Sequence, residues 1–202
     1  MITIHNFPHG ARGVRVFWVC EEMGLAYRAH DVSYPPSDAY KALHPMGTVP
    51  FLEDGPVKIS ESIAMMLYLA ERYGPTPLLP AKDDPRRARV LELAIFGETS
   101  LASPMNVLIM TGFLAPAPDK DNWTKRAGES QVERSLGFVV SALGKQQFLA
   151  GDMFTLADIS VSCALDIWVG ALKKPVPDAL GTWRARVQGR ETYKRAAAAQ
   201  AK

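Results

Sequence analysis

The stretch from His44 to Ser62, HPMGTVPFLEDGPVKISES, contains residue types that together can bind a short peptide. Val49-Pro50 stands at the start of an apolar strand, where proline removes an amide donor and makes the preceding peptide bond a candidate for the cis form. A cis bond would turn the backbone of Val49 outward. Its N–H and C=O could then pair with an extended peptide-like ligand, as a short edge strand does.

The same stretch ends where a helix is expected to begin, at Ser60-Glu61-Ser62. Apolar residues follow with a period of 3.6, at Ile63, Met66, Leu67 and Ala70. The first backbone amides of a helix have no partner within it, and they attract anions. We therefore expect this helix start to bind a carboxylate.

Three motifs, in this order and spacing, resemble the glutathione S-transferase superfamily: HPMGTVPFLEDG, ISESIAMMLYLAERYG and FTLADIS. The segment ARGVRVFWVCEEMGLAY is also similar to the first helix of many bacterial transferases. The resemblance implies an α/β thioredoxin-like N-terminal domain followed by an all-α helical bundle C-terminal domain, which is the glutathione transferase fold. It also implies glutathione as co-substrate.

The resemblance further implies how glutathione is bound. Ser62 takes the γ-glutamyl carboxylate, Glu61 takes the γ-glutamyl amine, and the backbone of Val49, before Pro50, pairs with the cysteinyl unit. Thr48 completes the predicted set, although lysine or glutamine is common at this position in the family.

The glycyl carboxylate of glutathione has no assigned partner, because Thr48 carries no charge to meet it. This carboxylate could be bound by Lys41 or His44, or it could face solvent.

The group that holds the sulfur as thiolate is the point where the sequence departs from the family. A Tyr, Ser or Cys usually stands at the turn into the first helix, but 8–15 contains none, and Ala11 stands where related bacterial sequences carry serine. The thiolate is the nucleophile, so a positive group must favour it. We expect Arg12 and the helix N-terminus to do so, with His9 second; a plain surface charge is the alternative for Arg12.

The second substrate is expected between the domains, against the long helix of the second. Ser103, Asn106 and Met110 are the predicted pocket residues. Their mix of small polar and apolar groups suits a small organic electrophile with a hydrogen-bonding group.

Composition narrows the class of protein. The 202 residues carry 23 Lys and Arg against 21 Asp and Glu, spread along the chain, so no nucleic-acid partner is expected. No stretch has the length and composition of a membrane span or a signal sequence, which favours a cytoplasmic protein without a membrane partner. Cys20 and Cys163 are expected to be buried free thiols, and the four histidines lack the spacing of a metal site.

Periodicity predicts strand, helix, strand, helix, strand, strand, helix for 1–74, which is the thioredoxin-like order. A proline-rich linker, 75–85, precedes an all-helical domain, 86–202, that contributes the electrophile site. Its long first helix is expected over 86–111, and Thr155 and Asp158 are expected to form a capping box. The basic residues of the last two helices are expected to lie on the bundle surface.

The leading hypothesis is an enzyme in which the glutathione thiolate attacks a small electrophile, with detoxification as its use and a homodimer as its assembly. A glutathione-dependent peroxidase or a maleyl-type isomerase would share the first step. A non-catalytic glutathione-binding or scaffold protein is the alternative from another class.

Overall fold

The computed structural model describes residues 1–8 and 12–200. The chain divides into two compact units, Met1–Leu79 with Gln188–Lys202, and Pro80–Val187. The last helix therefore groups with the first unit, whereas the sequence placed it in the second domain.

The first unit contains the predicted order of strands and helices. Its elements are β1 (Ile2–Asn6), α1 (Gly13–Met23), β2 (Tyr27–Asp31), α2 (Asp38–Leu43), β3 (Phe51–Asp54), β4 (Val57–Ser60) and α3 (Ser62–Arg72). Gly24 ends α1 in the left-handed conformation, with φ of 63°, which glycine adopts more readily than other residues.

The four strands form one mixed sheet in the order β2-β1-β3-β4, with β1 parallel to β2 and the other pairs antiparallel. Ile4 pairs with Leu52, and both side chains are fully buried. Met65, Met66 and Leu69 of α3 are also fully buried. This core fixes β3, which lies within the predicted peptide-binding stretch, and α3, which begins at its last residue.

The start of α1 packs closely on the end of β1. A Cβ placed on Gly13 would lie 2.4 Å from Cγ and 2.5 Å from Oδ1 of Asn6, so only glycine fits there. Asn6 is buried, and its Nδ2 donates to the carbonyl oxygen of Phe7 at 2.9 Å. The position of the first turn of α1 therefore depends on the contact between Gly13 and Asn6.

Helix α9 (Glu191–Gln200) packs on α1. Arg190, just before it, donates from Nε and Nη2 to the two carboxylate oxygens of Glu22 at 2.7 Å each, and Trp18 Nε1 donates to the same carboxylate at 3.1 Å. Arg195 Nε donates to Glu21 Oε2 at 2.6 Å. The prediction that these two arginines cover a helical bundle was wrong, because sequence periodicity does not reveal partners about 170 residues away.

The second unit is helical. It consists of α4 (Arg86–Phe96), α5 (Ser103–Ile109), α6 (Trp123–Leu143), α7 (Leu156–Asp166) and α8 (Asp178–Gln188), with π-helical turns at Gly97–Ala102, Met110–Leu114 and Ile167–Ala171. The first two turns make Arg86–Leu114 one continuous helix of 29 residues, three residues longer than predicted. By length and composition alone this helix could cross a membrane, although core helices of soluble proteins meet the same criteria.

The π-helical turn Gly97–Ala102 lies against its neighbours in the second unit. Ser135 Oγ donates to the carbonyl oxygen of Ser100 at 2.7 Å, and Ser160 Oγ donates to that of Ala94 at 2.6 Å. A Cβ on Gly97 would lie 2.4 Å from Ser160 Oγ. The irregular turn therefore packs closely on its neighbours at Gly97, and the hydroxyl groups of Ser135 and Ser160 donate to carbonyl oxygens in and next to it.

The predicted capping box is present at the start of α7. Asp158 is fully buried; its Oδ1 accepts from Leu149 N–H at 2.9 Å and from Trp183 Nε1 at 3.1 Å, and its Oδ2 accepts from Thr155 N–H at 2.9 Å and from Thr155 Oγ1 at 3.2 Å. Burial raises the pKa of Asp158, and these hydrogen bonds oppose the rise. One carboxylate therefore joins three separate segments of the helical unit.

Replacing Gly13 with alanine should lower the free energy of unfolding by about 1–3 kcal/mol, because the added methyl group would overlap the Asn6 side chain. In an Asn6→Ala background the same change should be much less harmful, since the obstructing amide is gone. Urea denaturation of the two single variants and the double variant measures this coupling. Strict additivity would contradict the contact.

Asp158→Asn should lower the free energy of unfolding by about 2–4 kcal/mol, because in either amide orientation the NH2 group would face two donors. Asp152→Asn is the matched control, since Asp152 in the same unit is exposed. Chemical denaturation of both variants is the measurement, and equal stability of the two would show that Asp158 does not hold the unit together.

Candidate functional site

Ser62 is the first residue of α3 and is 4% exposed. Glu61 before it is exposed and has φ of 69° and ψ of 106°, an uncommon backbone conformation for a residue with a side chain. The Glu61 carbonyl oxygen accepts from Met65 N–H at 2.9 Å, which begins the helix. A carboxylate side chain thus stands at the surface beside a buried hydroxyl, where a strained backbone commonly marks a functional site.

Arg15, in the first turn of α1, donates from Nη1 to Ser62 Oγ at 3.2 Å. Both residues are buried, and Arg15 is fully so. Sequence reasoning missed this residue, because it stands between Val14 and Val16 in an apolar helix and no local pattern marks its side chain. The buried hydroxyl at the start of α3 therefore has a cation beside it.

The peptide bond between Val49 and Pro50 is cis, as the sequence predicted. Pro50 is buried and Val49 is half-buried, at the edge of a small apolar cluster with Val32, Tyr40 and Phe51. Within the residues that the structure describes, the backbone N–H and C=O of Val49 form no hydrogen bond. Both groups are therefore open to a peptide-like partner at the strand end.

Thr48 is exposed, and two neighbouring side chains contact its polar atoms. Its carbonyl oxygen accepts from Tyr40 Oη at 2.7 Å, and its Oγ1 lies 3.0 Å from His44 Nε2. The His44 ring is buried and stacks on Phe51 with ring centroids 4.8 Å apart. His44 is thus packed in the core of the unit, where its ring is poorly placed to reach the carboxylate of a ligand.

Lys41, the second side chain that the sequence left open for the glycyl carboxylate, lies at the surface. Its side chain is 51% exposed, and its Nζ lies 3.6 Å from Asp38 in a surface ion pair. A Cβ on Gly47 would lie 3.6 Å from Lys41 Cγ, so the lysine stem runs beside the segment that leads into Thr48. Of the options that the sequence left open, Lys41 is nearest to solvent.

Arg12 immediately precedes α1, with φ of −73° and ψ of −2°, and it is half-buried. Its side chain caps no amide of α1. His9 and Ala11 lie outside the described residues, so the second predicted catalytic residue has no structural account. Arg12 therefore places a cation at the N-terminus of α1, three positions before Arg15.

Two other groups near the first unit's core are poorly suited to thiolate chemistry. Burial, with a smaller addition from Glu21, raises the pKa of the Cys20 thiol to about 12, so it stays protonated at neutral pH. Burial raises the pKa of Tyr40 to about 12 as well, and its hydroxyl already donates to Thr48. Cys20 and Cys163 are both free and buried, as predicted.

The three predicted second-substrate residues lie on one face of the long helix in the second unit. Ser103 and Met110 are exposed and Asn106 is half-buried, at helical spacings of three and four residues. Phe113 and Leu114 extend this face through the π-helical turn and are 64% and 68% exposed. Among residues 1–8 and 12–200, no group of three or more His, Cys, Asp or Glu side chains is arranged to hold a metal ion.

Comparison with known proteins matches both parts of the chain to one family. Residues 5–77 match the model described as "Glutathione S-transferase, N-terminal domain", and 104–191 match the "Glutathione S-transferase, C-terminal domain". Glutathione S-transferase F9 of Arabidopsis thaliana is 32% identical, covering 83% of this chain and 81% of that protein. Glutathione S-transferase F10 of the same plant is 30% identical and covers 98% and 97%.

Solved structures share the fold over nearly the whole chain. The theta class glutathione S-transferase of Xanthomonas axonopodis pv. citri, solved with glutathione bound, has a TM-score of 0.81 at 29% identity and covers 97% of this chain and 96% of that one. A glutathione transferase of Methylococcus capsulatus has a TM-score of 0.86 at 23% identity, covering 99% and 98%. With both domain models matched and relatives of 30% identity or more covered over most of their length, the chain belongs to the glutathione S-transferase superfamily.

Proposed function

We propose that this protein binds glutathione along β3 and the start of α3 and uses its thiolate to attack a small electrophile. The observation that carries the proposal is the pair Glu61 and Ser62 at the N-terminus of α3. It presents an accessible carboxylate for an ammonium group beside a hydroxyl and free amides for a carboxylate. An amino acid head group, such as that of the γ-glutamyl unit, carries these two charges on one carbon.

The remainder of glutathione extends from that head group toward Val49. In this proposal the open N–H and C=O of Val49 pair with the cysteinyl unit in the manner of an added strand, with Pro50 and Thr48 lining the site. Lys41 is our choice for the glycyl carboxylate, because its flexible, exposed stem lies beside Gly47. The glutathione-bound theta class relative from Xanthomonas supports glutathione as the ligand.

Arg12 is our choice for holding the sulfur as thiolate, with His9 second. An opposite charge within about 4–6 Å lowers a thiol's pKa by roughly 1–3 units, and the N-terminus of α1 adds a positive partial charge in the same direction. The high pKa values of Cys20 and Tyr40 argue against both as substitutes.

The electrophile is proposed to contact the face of Ser103, Asn106 and Met110. No charged residue stands between Glu98 and Asp119, and Phe113 and Leu114 add exposed apolar surface. This composition favours a neutral molecule with an apolar body over a maleyl-type substrate, whose carboxylate would need a cation. We therefore favour conjugation, with reduction of apolar hydroperoxides as the next enzymatic option.

The sequence of the turn before α1 supports one alternative function, which is non-catalytic. Because 8–15 contains no Tyr, Ser or Cys, the chain could bind glutathione as a scaffold without turnover. For the enzyme, we expect detoxification of small electrophiles in the cytoplasm and a two-fold homodimer.

Glutathione at about a hundred times its dissociation constant should stabilise the protein by about 2.7 kcal/mol, which corresponds to a rise in Tm of roughly 5–10 °C. Turnover should follow with 1-chloro-2,4-dinitrobenzene, exceed that with cumene hydroperoxide, and be negligible with maleylacetone. Differential scanning fluorimetry and absorbance assays measure these effects. A thermal shift with no turnover on any substrate would favour the scaffold, and no thermal shift would refute glutathione binding.

Arg12→Ala should raise the pKa of the bound glutathione thiol by about 1 unit or more, because the nearest cation is lost. Titration of thiolate absorbance in the ultraviolet measures this, and turnover at neutral pH should fall about tenfold. Arg28→Ala, at an exposed arginine of β2 in the same unit, is the matched control. An unchanged titration curve would remove Arg12 from the mechanism.

A further inference from the structure

The outer edge of β2 borders an open cavity that the proposed glutathione site does not use. The cavity has a volume of about 550 Å³, and its lining comes from α1 and the loop after it, from β2 and from α9: Glu21, Leu25, Tyr27, Ala29, Asp31 and Ala199. All of these residues belong to the first unit. We propose that an extended segment of a partner protein binds in this edge groove as a fifth strand, antiparallel to β2, with a lysine or arginine opposite Asp31.

Backbone groups with no partner lie along the edge groove. β2 is the outermost strand of the sheet, and β1 covers one of its sides. Val32 N–H donates to the Asn6 carbonyl oxygen at 2.8 Å, and successive residues of a strand direct their backbone groups to opposite sides. The N–H and C=O of Tyr27, Ala29 and Asp31 therefore face away from β1. In the described part of the chain they have no hydrogen bond on that side, which makes them a template for an added strand.

Helix α9 gives the edge groove a second wall. The side chains of Tyr27 and Ala29 lie on the face of the sheet that α1 covers, since the rings of Tyr27 and Phe17 are 5.5 Å apart between centroids. α9 packs on α1, and Ala199 near its end lines the cavity. Because Ala29 and Ala199 are small, they leave room between strand and helix. An aliphatic side chain opposite Ala29 would fill this space, and such pockets give added strands their specificity.

Asp31 determines the charge of the segment that fits. It is exposed and forms no ion pair with any residue that the structure describes. Glu21, the other acid in the lining, already accepts from Tyr27 Oη at 2.9 Å and from Arg195 Nε at 2.6 Å. Cross-strand pairs of opposite charge stabilise a sheet, whereas like charges destabilise it. A cationic side chain directly opposite Asp31 therefore suits the edge groove, two positions from the aliphatic side chain opposite Ala29.

A second copy of this chain fits the same edge less well. Side chains directly opposite each other in a sheet lie on the same face, and successive side chains of a strand alternate between faces. Asp31 is therefore on one face of β2, while Arg28 and His30 are on the other. No two-fold pairing of two β2 strands can bring either of these basic residues directly opposite Asp31. The charge pattern thus favours a partner of different sequence.

The test uses a peptide whose controls differ by the position of one methyl group. The heptapeptide Thr-Thr-Lys-Thr-Val-Thr-Thr, with a fluorescein label and an amidated end, places lysine opposite Asp31 when valine lies opposite Ala29. In antiparallel pairing the valine N–H donates to the Ala29 carbonyl oxygen, whereas the N–H of the threonine before it points away. N-methylation of the valine should weaken binding at least about tenfold, and N-methylation of that threonine less than about twofold.

Fluorescence anisotropy measures these dissociation constants. The unmethylated peptide should bind with a Kd below about 1 mM. No binding in that range, or equal effects of the two methyl groups, would overturn the added strand.

Two protein variants test the shape of the edge groove. Ala29→Pro removes the outward N–H and leaves the hydrogen bonds to β1, because proline is tolerated in an edge strand where its nitrogen faces solvent. The peptide should then bind at least about tenfold more weakly. Ala199→Trp fills the cavity from α9 and should have the same effect. Circular dichroism establishes that each variant folds, and undiminished binding by a folded variant would overturn the inference.

Asp31→Lys tests the charge pairing. The variant should prefer the peptide with glutamate in place of lysine, whereas the wild-type protein should prefer lysine, by about threefold in each case. Asp38→Lys is the matched control, since Asp38 is an exposed aspartate of the same unit that does not line the cavity. A preference that Asp31→Lys leaves unchanged would overturn the role of Asp31.

Glutathione and a second copy are the competing occupants. Since β2 and β4 are at opposite edges of the sheet, saturating glutathione should leave the Kd of the peptide unchanged, and displacement of the peptide would overturn the inference. Sedimentation velocity addresses the second copy: a dimer that Ala29→Pro dissociates would place another copy at this edge and would also overturn it. Protein that binds the peptide but not glutathione would refute only the proposed function.

Discussion

One buried hydrogen bond, from the Arg15 guanidinium to the Ser62 hydroxyl, holds the first turns of α1 and α3 against each other. The proposed site depends on it, because the proposal uses both helix N-termini: that of α3 for the γ-glutamyl head group and that of α1 for the sulfur. Gly13 allows α1 to approach β1 so closely that Arg15 can reach α3. Backbone packing and buried polar contact are therefore parts of one constraint.

The helical unit also contains a buried charged side chain with hydrogen-bond partners, but there it serves folding. Asp158, like Arg15, is a fully buried charged residue, and its two oxygens accept from the backbone, from Thr155 and from the indole of Trp183. Its partners all belong to the protein, so we assign it to folding. The contrast lies in the surroundings: Arg15 acts on a hydroxyl at a helix start next to an exposed carboxylate, whereas the partners of Asp158 lie within the bundle.

Local features of this protein were predictable from sequence. The cis bond at Val49-Pro50, the end of α1 at Gly24 and the capping box of Thr155 and Asp158 each depend on neighbours within a few positions. The spacing of Ser103, Asn106 and Met110 also placed them on one helix face, because helical periodicity is local.

Long-range polar partners were not predictable. Arg15 stands among valines in an apolar helix. The apolar pattern predicts which face of the helix is buried, but it does not predict which residue a cation in that helix contacts. Arg190 and Arg195 read as surface charges, although they bind Glu22 and Glu21 from the other end of the chain. The left-handed φ of Glu61 likewise follows from how β4 enters α3 and leaves no mark in residue type.

The packing of α9 on α1 has a consequence for how the protein is made. During synthesis the ribosome adds about 5–20 residues per second, and domains generally fold as units. The first unit is discontinuous in sequence, since the helical unit intervenes before α9 appears. Until that late segment emerges, Trp18 and Glu22 lack the surface that covers them. Helix α1 therefore stays partly uncovered while more than half of the polypeptide is translated.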